Sequence, residues 1–241
     1  LMIRESLEIL DSNTAFITPN RQLARRVISK LLRWDIIADD SGGIPLSNTR
    51  IGTFLVATAE MVIEDFSAIN FLIAGKHDLA GCNLENKKLK KLMRDLEINS
   101  LRSHKNLNGL DNLISLIPEA NIETLNMLYR IKEISSKFSQ LVKCKNTSLR
   151  KLIESHLEFC EHFSETDSTP GLDRLWGSEE GRACSDFIAD FHKNSSVFED
   201  FSPIDYVPLL KSLLSETVFR AGVQTHQRLQ IWGPLEARLQ E

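Results

Sequence analysis

Hydrophobic and polar residues follow each other at helical spacing through most of the chain, from Thr53 to about Phe219. Apolar residues that recur every three to four positions form one face of a helix, so this pattern predicts a mainly α-helical fold. The segment SETDSTPGLD interrupts the pattern and is typical of a linker. We expect Thr53 and Ser67 to cap the first two helices. The predicted helices are TFLVATAEMVIEDF, the FLIAG segment after Ser67, LENKKLKKLMRDLEI, LDNLISLI, ETLNMLYRIKEISSKFSQLV, SLRKLIESHLEFCEHF, SEEGRACSDFIADFHK and SPIDYVPLLKSLLSETVF.

The two ends of the chain have a different pattern, in which short β-rich runs lie beside single helices. TAFIT (residues 14–18) and residues 35–38 are predicted strands on either side of the helix RQLARRVISKLLRW. The buried stripe of this helix is expected to include Leu23, Val27 and Leu31. The closing stretch RLQIWGPLEARLQE predicts another strand, a Gly-Pro turn and one helical turn.

A parallel sheet needs cover on both faces, and neither end can supply a covered sheet alone. We therefore expect both ends to lie side by side in a single sheet, from which the helical body extends as an insertion. The predicted domains are a partial α/β piece at 1–52, a helical insertion domain at 53–226 and a return of the α/β piece at 227–241. Because the sequence stops on the opening turn of a helix, we expect this chain to be a fragment of a longer protein.

The bulk composition is that of an ordinary soluble protein. The 241 residues are 42% hydrophobic and 26% charged, and the formal net charge is −4, which does not favour a dedicated nucleic-acid-binding protein. The four cysteines form no CxxC pair, so neither a disulfide framework nor a zinc knuckle is indicated. The amphipathic start, LMIRESLEIL, carries two acidic residues, unlike a signal peptide. We expect a cytoplasmic protein without a transmembrane helix.

Sequence motifs for catalysis are missing. There is no GxxxxGK[ST] phosphate loop, no GxGxxG, no GxSxG elbow and no HExxH pair. The glycines in DDSGG are therefore interpreted as a turn through Gly42 and Gly43. No catalytic residue is predicted, and the chain alone is not expected to be an enzyme.

The densest group of metal-ligand residues is HLEFCEH, with His156, Glu158, Cys160 and His162. His156 and Cys160 stand four positions apart and so share one helical face. Zinc normally takes four protein ligands, or three and a water molecule, and no further ligand is evident. Partly buried core residues are the preferred interpretation, and a metal-dependent hydrolase ranks third among the functional hypotheses.

Two groups of cations could contact phosphates. The segment NKKLKKLMR places several positive charges on one exposed side of a helix, and phosphate contacts need such a surface. A run of charges of this kind is more often a solvated helix face. The helix RQLARRVISK directly follows a strand, and free amides at its start could hold an anion. The residues concerned are Lys87, Lys88, Lys90, Lys91 and Arg94 in the first group, and Arg21, Arg25 and Arg26 in the second.

Three stretches resemble the AddB family of double-strand-break repair subunits, in its alphaproteobacterial form. TPNRQLARRVISKLLRWDIIADDSGGIPLSNTRIGTFL (18–55) is the longest of them. FLIAGKHDLAGCN (71–83) is similar to the element that follows there, with Asp78 in place of the usual proline. HQRLQIWGPLEARLQE (226–241) is similar to the element in which the helicase-like sheet resumes. The order and spacing match, and the resemblance is weakest from about 106 to 172.

The resemblance implies an incomplete helicase-like (P-loop NTPase-type) lobe and its helical insertion. It implies a role in DNA end resection and recombination beside an AddA-type helicase–nuclease partner. The parent family uses ATP, magnesium and an iron–sulfur cluster, but the phosphate loop and the nuclease motifs do not occur in this sequence, so no cofactor is expected here. Arg25 lies about where superfamily-one helicases place an arginine near the nucleotide, with Arg21 and Arg26 as weaker phosphate or structural contacts.

A free-standing helical interaction protein without a DNA role is the alternative. It predicts a monodisperse chain that unfolds cooperatively. An incomplete lobe instead predicts exposed apolar strands and self-association, because unpaired strand edges invite pairing.

Overall fold

A computed structural model describes residues 13–104, 107–220, 226 and 228–239. The amphipathic start of the sequence lies outside these residues. None of the described helices is long and apolar enough to cross a membrane. In chain order the elements are β1 (Thr14–Ile17), α1 (Arg21–Leu32), β2 (Asp39–Asp40), β3 (Ile44–Pro45), α2 (Arg50–Ile63), α3 (Ala68–Gly75), α4 (Asn86–Leu96), α5 (Leu110–Ser115), α6 (Ile122–Val142), α7 (Leu149–Ser164), α8 (Gly171–Trp176), α9 (Glu179–Asn194), α10 (Tyr206–Glu216), β4 (Val218–Phe219), β5 (Leu229–Trp232) and α11 (Pro234–Arg238).

The described residues form a mainly helical fold with a few short strands, as the periodicity predicts. They divide into two compact units. The helical unit is Leu46–Thr217, and the α/β unit combines residues up to Pro45 with those from Val218 onward. Both divisions fall earlier in the sequence than the predicted ones at 52/53 and 226/227.

The α/β unit contains a parallel sheet built from both ends of the chain. Its strand order is β1–β5–β2, with Phe16 opposite Ile231 and Asp40 also opposite Ile231. The expectation that the two ends share one sheet is therefore confirmed. The strand predicted at 35–38 is wrong, because Asp35 takes a left-handed φ of 55° and the chain pairs with β5 only from Asp39.

Helix α1 covers one face of this sheet. Ala24 and Leu31 of α1 pack with Leu229 and Ile231 in a small core, to which Val27 also contributes. Leu23 was expected in the buried stripe but is 41% exposed, because the buried side of α1 is centred on Ala24 and Leu31.

Strands β3 and β4 pair antiparallel where the two units are joined in sequence. Ile44 lies opposite Phe219 and Pro45 opposite Val218. The predicted helix SPIDYVPLLKSLLSETVF therefore extends too far at its C-terminal end. Helix α10 stops at Glu216, and the β-branched Val218 belongs to a strand. The turn predicted at DDSGG is confirmed, with the Gly43 amide donating to the Asp40 carbonyl oxygen at 3.0 Å and Gly43 at a φ of 58°.

The helical unit has a large aromatic core and well-defined helix starts. Its fully buried side chains include Phe54, Phe71, Phe138, Phe159, Phe163 and Tyr206. Helix α2 begins one turn before the prediction, because the Thr49 hydroxyl, not that of Thr53, accepts from the Gly52 amide at 3.0 Å. Ser67 occupies the N-cap position of α3, but its side chain makes no capping hydrogen bond.

Candidate functional site

The cation-rich helix α4 has the amphipathic form that its sequence predicts. Leu89, Leu92, Met93 and Leu96 are buried on one side. The five cations of NKKLKKLMR are exposed on the remaining faces. The buried apolar side thus holds α4 in place, and its charged side chains face the solvent.

Two of these cations are already neutralised by carboxylates. The Lys88 Nζ lies 2.6 Å from the Glu123 Oε1, and the Lys90 Nζ lies 2.6 Å from the Asp78 Oδ1. Hydrogen bonding to the lysines and their positive charge lower the pKa of both carboxyl groups, so each pair stays ionised at neutral pH.

The other three cations form a separate surface, which we call the α4 stripe: Lys87, Lys91 and Arg94. They are exposed and form no salt bridge with any residue in the described part of the chain. Their spacing of four and three residues aligns them on one side of the helix, with neighbouring Cβ atoms about 5–6 Å apart. A row of unpaired cations at such spacing can contact several phosphates of one strand.

Arg174 fixes the loop that brings Asp78 to Lys90. Its guanidinium donates to the carbonyl oxygens of Asp78 and Leu79, at 3.1 and 2.9 Å, and also to that of Ser164. Burial lowers the pKa of Arg174, and the neighbouring Arg50 lowers it further. Sequence reasoning missed Arg174, because its partners are backbone carbonyls of segments that are distant in the sequence.

The three arginines of α1 differ in their contacts. The Arg21 Nη2 lies 2.7 Å from the Asp40 Oδ1, which ties the start of α1 to the end of β2, so Arg21 acts as a structural contact. Arg25 and Arg26 are exposed on the same helix. The charge that remains available on α1 is therefore that of Arg25 and Arg26.

The start of α1 does not offer the free amides that the sequence suggested. The Asn20 Oδ1 accepts hydrogen bonds from the amides of Gln22 and Leu23, at 3.0 and 3.1 Å, and the Ala24 amide donates to the Asn20 carbonyl oxygen. The Asn20 cap therefore occupies the amides of Gln22 and Leu23, which are not free to hold an anion.

The HLEFCEH segment does not converge on a metal. His156 and Cys160 are buried in the helical unit, as the preferred interpretation predicts, whereas Glu158 pairs with Lys137 on the surface. His162 is half-exposed, and its Nδ1 lies 3.9 Å from the Glu165 carboxylate. Within the described ranges, no three or more His, Cys, Asp or Glu side chains are grouped closely enough to hold a metal ion.

His156 and Cys160 instead join a buried polar network with Thr58 and Tyr206. The His156 Nε2 lies 3.0 Å from the Thr58 Oγ1 and 3.2 Å from the Cys160 Sγ, and its Nδ1 lies 2.9 Å from the Tyr206 hydroxyl. The Thr58 hydroxyl donates to the Phe54 carbonyl oxygen, so it accepts from the His156 Nε2–H, and Tyr206 donates to Nδ1.

Burial determines the ionisation of this network. It lowers the pKa of His156 to about 3 and raises the pKa of Cys160 to about 12. The imidazole is therefore neutral and the thiol protonated at neutral pH, and a buried thiol of this kind is not a nucleophile. The network holds the core together and offers no catalytic pair.

Comparisons with known proteins do not identify a family. No protein-family model matches the chain, and no curated protein is significantly similar to it.

Proposed function

We propose that this chain is part of an AddB-like subunit of a DNA double-strand-break repair complex. It has no catalytic centre of its own and acts beside an AddA-type helicase–nuclease partner in end resection and recombination. The observation that carries this proposal is the parallel pairing of β1 with β5, with Thr14 opposite Leu229, although the compact helical unit Leu46–Thr217 lies between these strands in the sequence. A helicase-like lobe that carries a helical insertion has this arrangement.

Exposed apolar side chains among the described residues of the α/β unit support the same proposal. Ile17 alternates with Phe16 and so faces away from the side packed by α1; it is 54% exposed. Leu235 on α11 is 72% exposed. Because parallel sheets are normally covered on both faces, these exposed apolar side chains favour a unit that is completed by further protein.

DNA contact is assigned to the α4 stripe, whereas Lys88 and Lys90 are occupied by Glu123 and Asp78. Arg25 is the nucleotide-proximal candidate, and this role requires the first motor lobe, which carries the phosphate loop. Arg26 is a weaker phosphate contact on the same helix.

The test is a titration of single-stranded and blunt duplex DNA, followed by fluorescence anisotropy at several salt concentrations. We expect weak binding at tens of micromolar, with a slope of log K against log salt near about −2 for three phosphate contacts on a single strand. The variant Lys87→Gln/Lys91→Gln/Arg94→Gln should lose this binding. The matched control Lys88→Gln/Lys90→Gln lies on the same helix and should keep it.

Absence of salt-sensitive binding in the unaltered chain would contradict a retained DNA contact. Equal losses in both variants would show that general charge, not the α4 stripe, is responsible.

A free-standing interaction protein is the second candidate, favoured by the helical unit having its own aromatic core. Sedimentation distinguishes the two proposals. A monodisperse chain favours the interaction protein, whereas self-association through the exposed apolar surface of the α/β unit favours the incomplete lobe.

A further inference from the structure

Strand β1 forms one edge of the parallel sheet in the α/β unit. Among the described residues its only strand partner is β5. The Thr14 amide donates to the Arg228 carbonyl oxygen at 2.7 Å, and the Thr18 amide donates to that of Trp232 at 3.0 Å. In a parallel pair, every second residue of a strand directs its backbone groups to the same neighbour. The residues of β1 that face β5 are therefore Thr14, Phe16 and Thr18.

The residues between them, Ala15 and Ile17, direct their N–H and C=O groups to the outer side of β1. We call these outward backbone groups the β1 edge. In the described part of the chain no hydrogen bond reaches them. The Ile17 side chain is also 54% exposed. Unpaired backbone groups in a row form a template on which another strand can pair.

The two edges of this sheet differ in their protection. At the opposite edge, β2 is two residues long, and both of them are aspartates. Asp40 is also paired with Arg21. Short length and charged side chains prevent further pairing at a sheet edge. Strand β1 has the sequence TAFI, with neither a charge nor a proline, so its edge lacks this protection.

We propose that the β1 edge pairs with the β1 edge of a second copy of this chain, antiparallel about a two-fold axis at Phe16. In this register Ala15 of one copy lies opposite Ile17 of the other, and the two residues exchange two hydrogen bonds. Phe16 lies opposite Phe16 as a non-hydrogen-bonded pair, which fits because its own backbone groups face β5. The register therefore uses every outward donor and acceptor of both copies.

The side chains and the covering helix also fit a second copy. No charged residue lies in β1, so no like charges meet across the axis. Directly opposed residues share a face of the sheet, so each Ile17 packs beside the small Ala15 of the other copy. The core under α1 is centred on Leu229 and Ile231 of the central strand, which leaves the outer side of β1 open. The joined sheet then runs β2–β5–β1 through one copy and β1–β5–β2 through the other.

This pairing deepens the proposed incomplete lobe, because it names the surface through which that lobe self-associates. Sedimentation equilibrium of the full chain tests it. We expect a monomer–dimer equilibrium with a dissociation constant of roughly 0.1 mM, since two short strands bury less than the about 1,200 Å² of a standard interface. Ala15→Pro removes an outward donor from each copy and should weaken the dimer by more than about tenfold. Proline is tolerated there because this N–H makes no bond to β5.

Charge at Ile17 provides a second test of the register. The two Ile17 residues are diagonal neighbours across the axis, about 7–8 Å apart and within reach of long side chains. Ile17→Glu and Ile17→Lys should each weaken the dimer by more than about tenfold, and an equimolar mixture should dimerise more strongly than either variant alone. The matched control is Leu235→Glu, which changes a residue of the same unit that is 72% exposed and follows the central strand. It should dimerise as the unaltered chain does.

Circular dichroism establishes that each variant is folded, and the Ile17 variants serve if Ala15→Pro is not. A chain that stays monomeric up to about 1 mM overturns the proposal. So does a dimer that Ile17→Glu leaves unchanged, or one that Leu235→Glu weakens equally. A monomer that still binds DNA through the α4 stripe overturns the dimer alone. A dimer without salt-sensitive DNA binding supports the β1 pairing and contradicts only the retained DNA contact.

Discussion

Because His156 is buried, we expect the helical unit to lose stability in acid at pH values above those at which carboxylates titrate. Its side chain is fully enclosed, and the burial lowers its pKa from 6.5 to about 3. The folded unit therefore keeps the imidazole neutral, whereas the unfolded chain takes up a proton below pH 6.5. Stability from the neutral histidine is complete above that pH and is lost as the pH falls towards 3.

The size of the effect follows from the difference between the two pKa values. Each pKa unit corresponds to about 1.4 kcal/mol, so the full difference costs about 5 kcal/mol of unfolding free energy once the pH is below both values. At about pH 5 the unfolded chain is protonated and the folded one is not, and the loss is about 2 kcal/mol. Ordinary carboxyl groups titrate near pH 4, so they contribute little in this window.

The assay needs a probe for the helical unit alone, because a chain with two compact units need not unfold in one step. Trp176 is the tryptophan of that unit, and its Nε1 donates to the Glu161 Oε1 at 3.0 Å. Replacing Trp34 and Trp232 by phenylalanine leaves its fluorescence as the signal. Urea unfolding is then measured at about pH 7.5 and about pH 5, with and without His156→Gln.

His156→Gln should be less stable than the parent at about pH 7.5 but should lose about 2 kcal/mol less between the two pH values. His162→Gln, which replaces a half-exposed histidine on the same helix, is the control for the substitution itself, and His156→Gln should differ from it in the loss between the two pH values. Equal losses in the parent and His156→Gln would refute the assignment of this acid sensitivity to the buried imidazole.

Two further expectations concern packing. Gly52→Ala should destabilise the helical unit by about 1–3 kcal/mol, because the added Cβ would lie 1.8 Å from the Leu46 carbonyl oxygen. Urea unfolding followed by Trp176 fluorescence measures this loss, and an unchanged midpoint would contradict it. A thiol reagent should modify Cys144 rapidly in the folded chain and all four cysteines after denaturation, since Cys82, Cys160 and Cys184 are buried; rapid loss of a second thiol without denaturant would argue against this burial.

Much of the fold is evident in the sequence where the signal is local. The apolar spacing predicts α4, α6, α7 and α9 to within a few residues, and the β-rich run TAFIT predicts β1. The predicted boundaries are less accurate where two residues of the same type could serve equally well as a helix cap. Thr49 and Thr53 are both good caps, and the structure places Thr49 at the start of α2, where its hydroxyl accepts from the Gly52 amide.

The candidate sites are less predictable, because each depends on partners far apart in the sequence. The pattern NKKLKKLMR identifies five cations, but Glu123 and Asp78, which occupy two of them, lie outside α4. The motif HLEFCEH places His156 on a helix, yet burial in the folded unit keeps it neutral, and its contacts with Thr58 and Tyr206 decide its tautomer.

The pairing of β3 with β4 has a consequence for the order of folding. The Leu46 amide donates to the Thr217 carbonyl oxygen at 2.8 Å, so the helical unit begins and ends at adjacent points. Closing a long unstructured loop is entropically costly, but a folded helical unit reduces that closure to a few residues. We therefore expect β1 to pair with β5 after the helical unit has folded, so substitutions among the buried aromatic residues of that unit should also weaken the sheet.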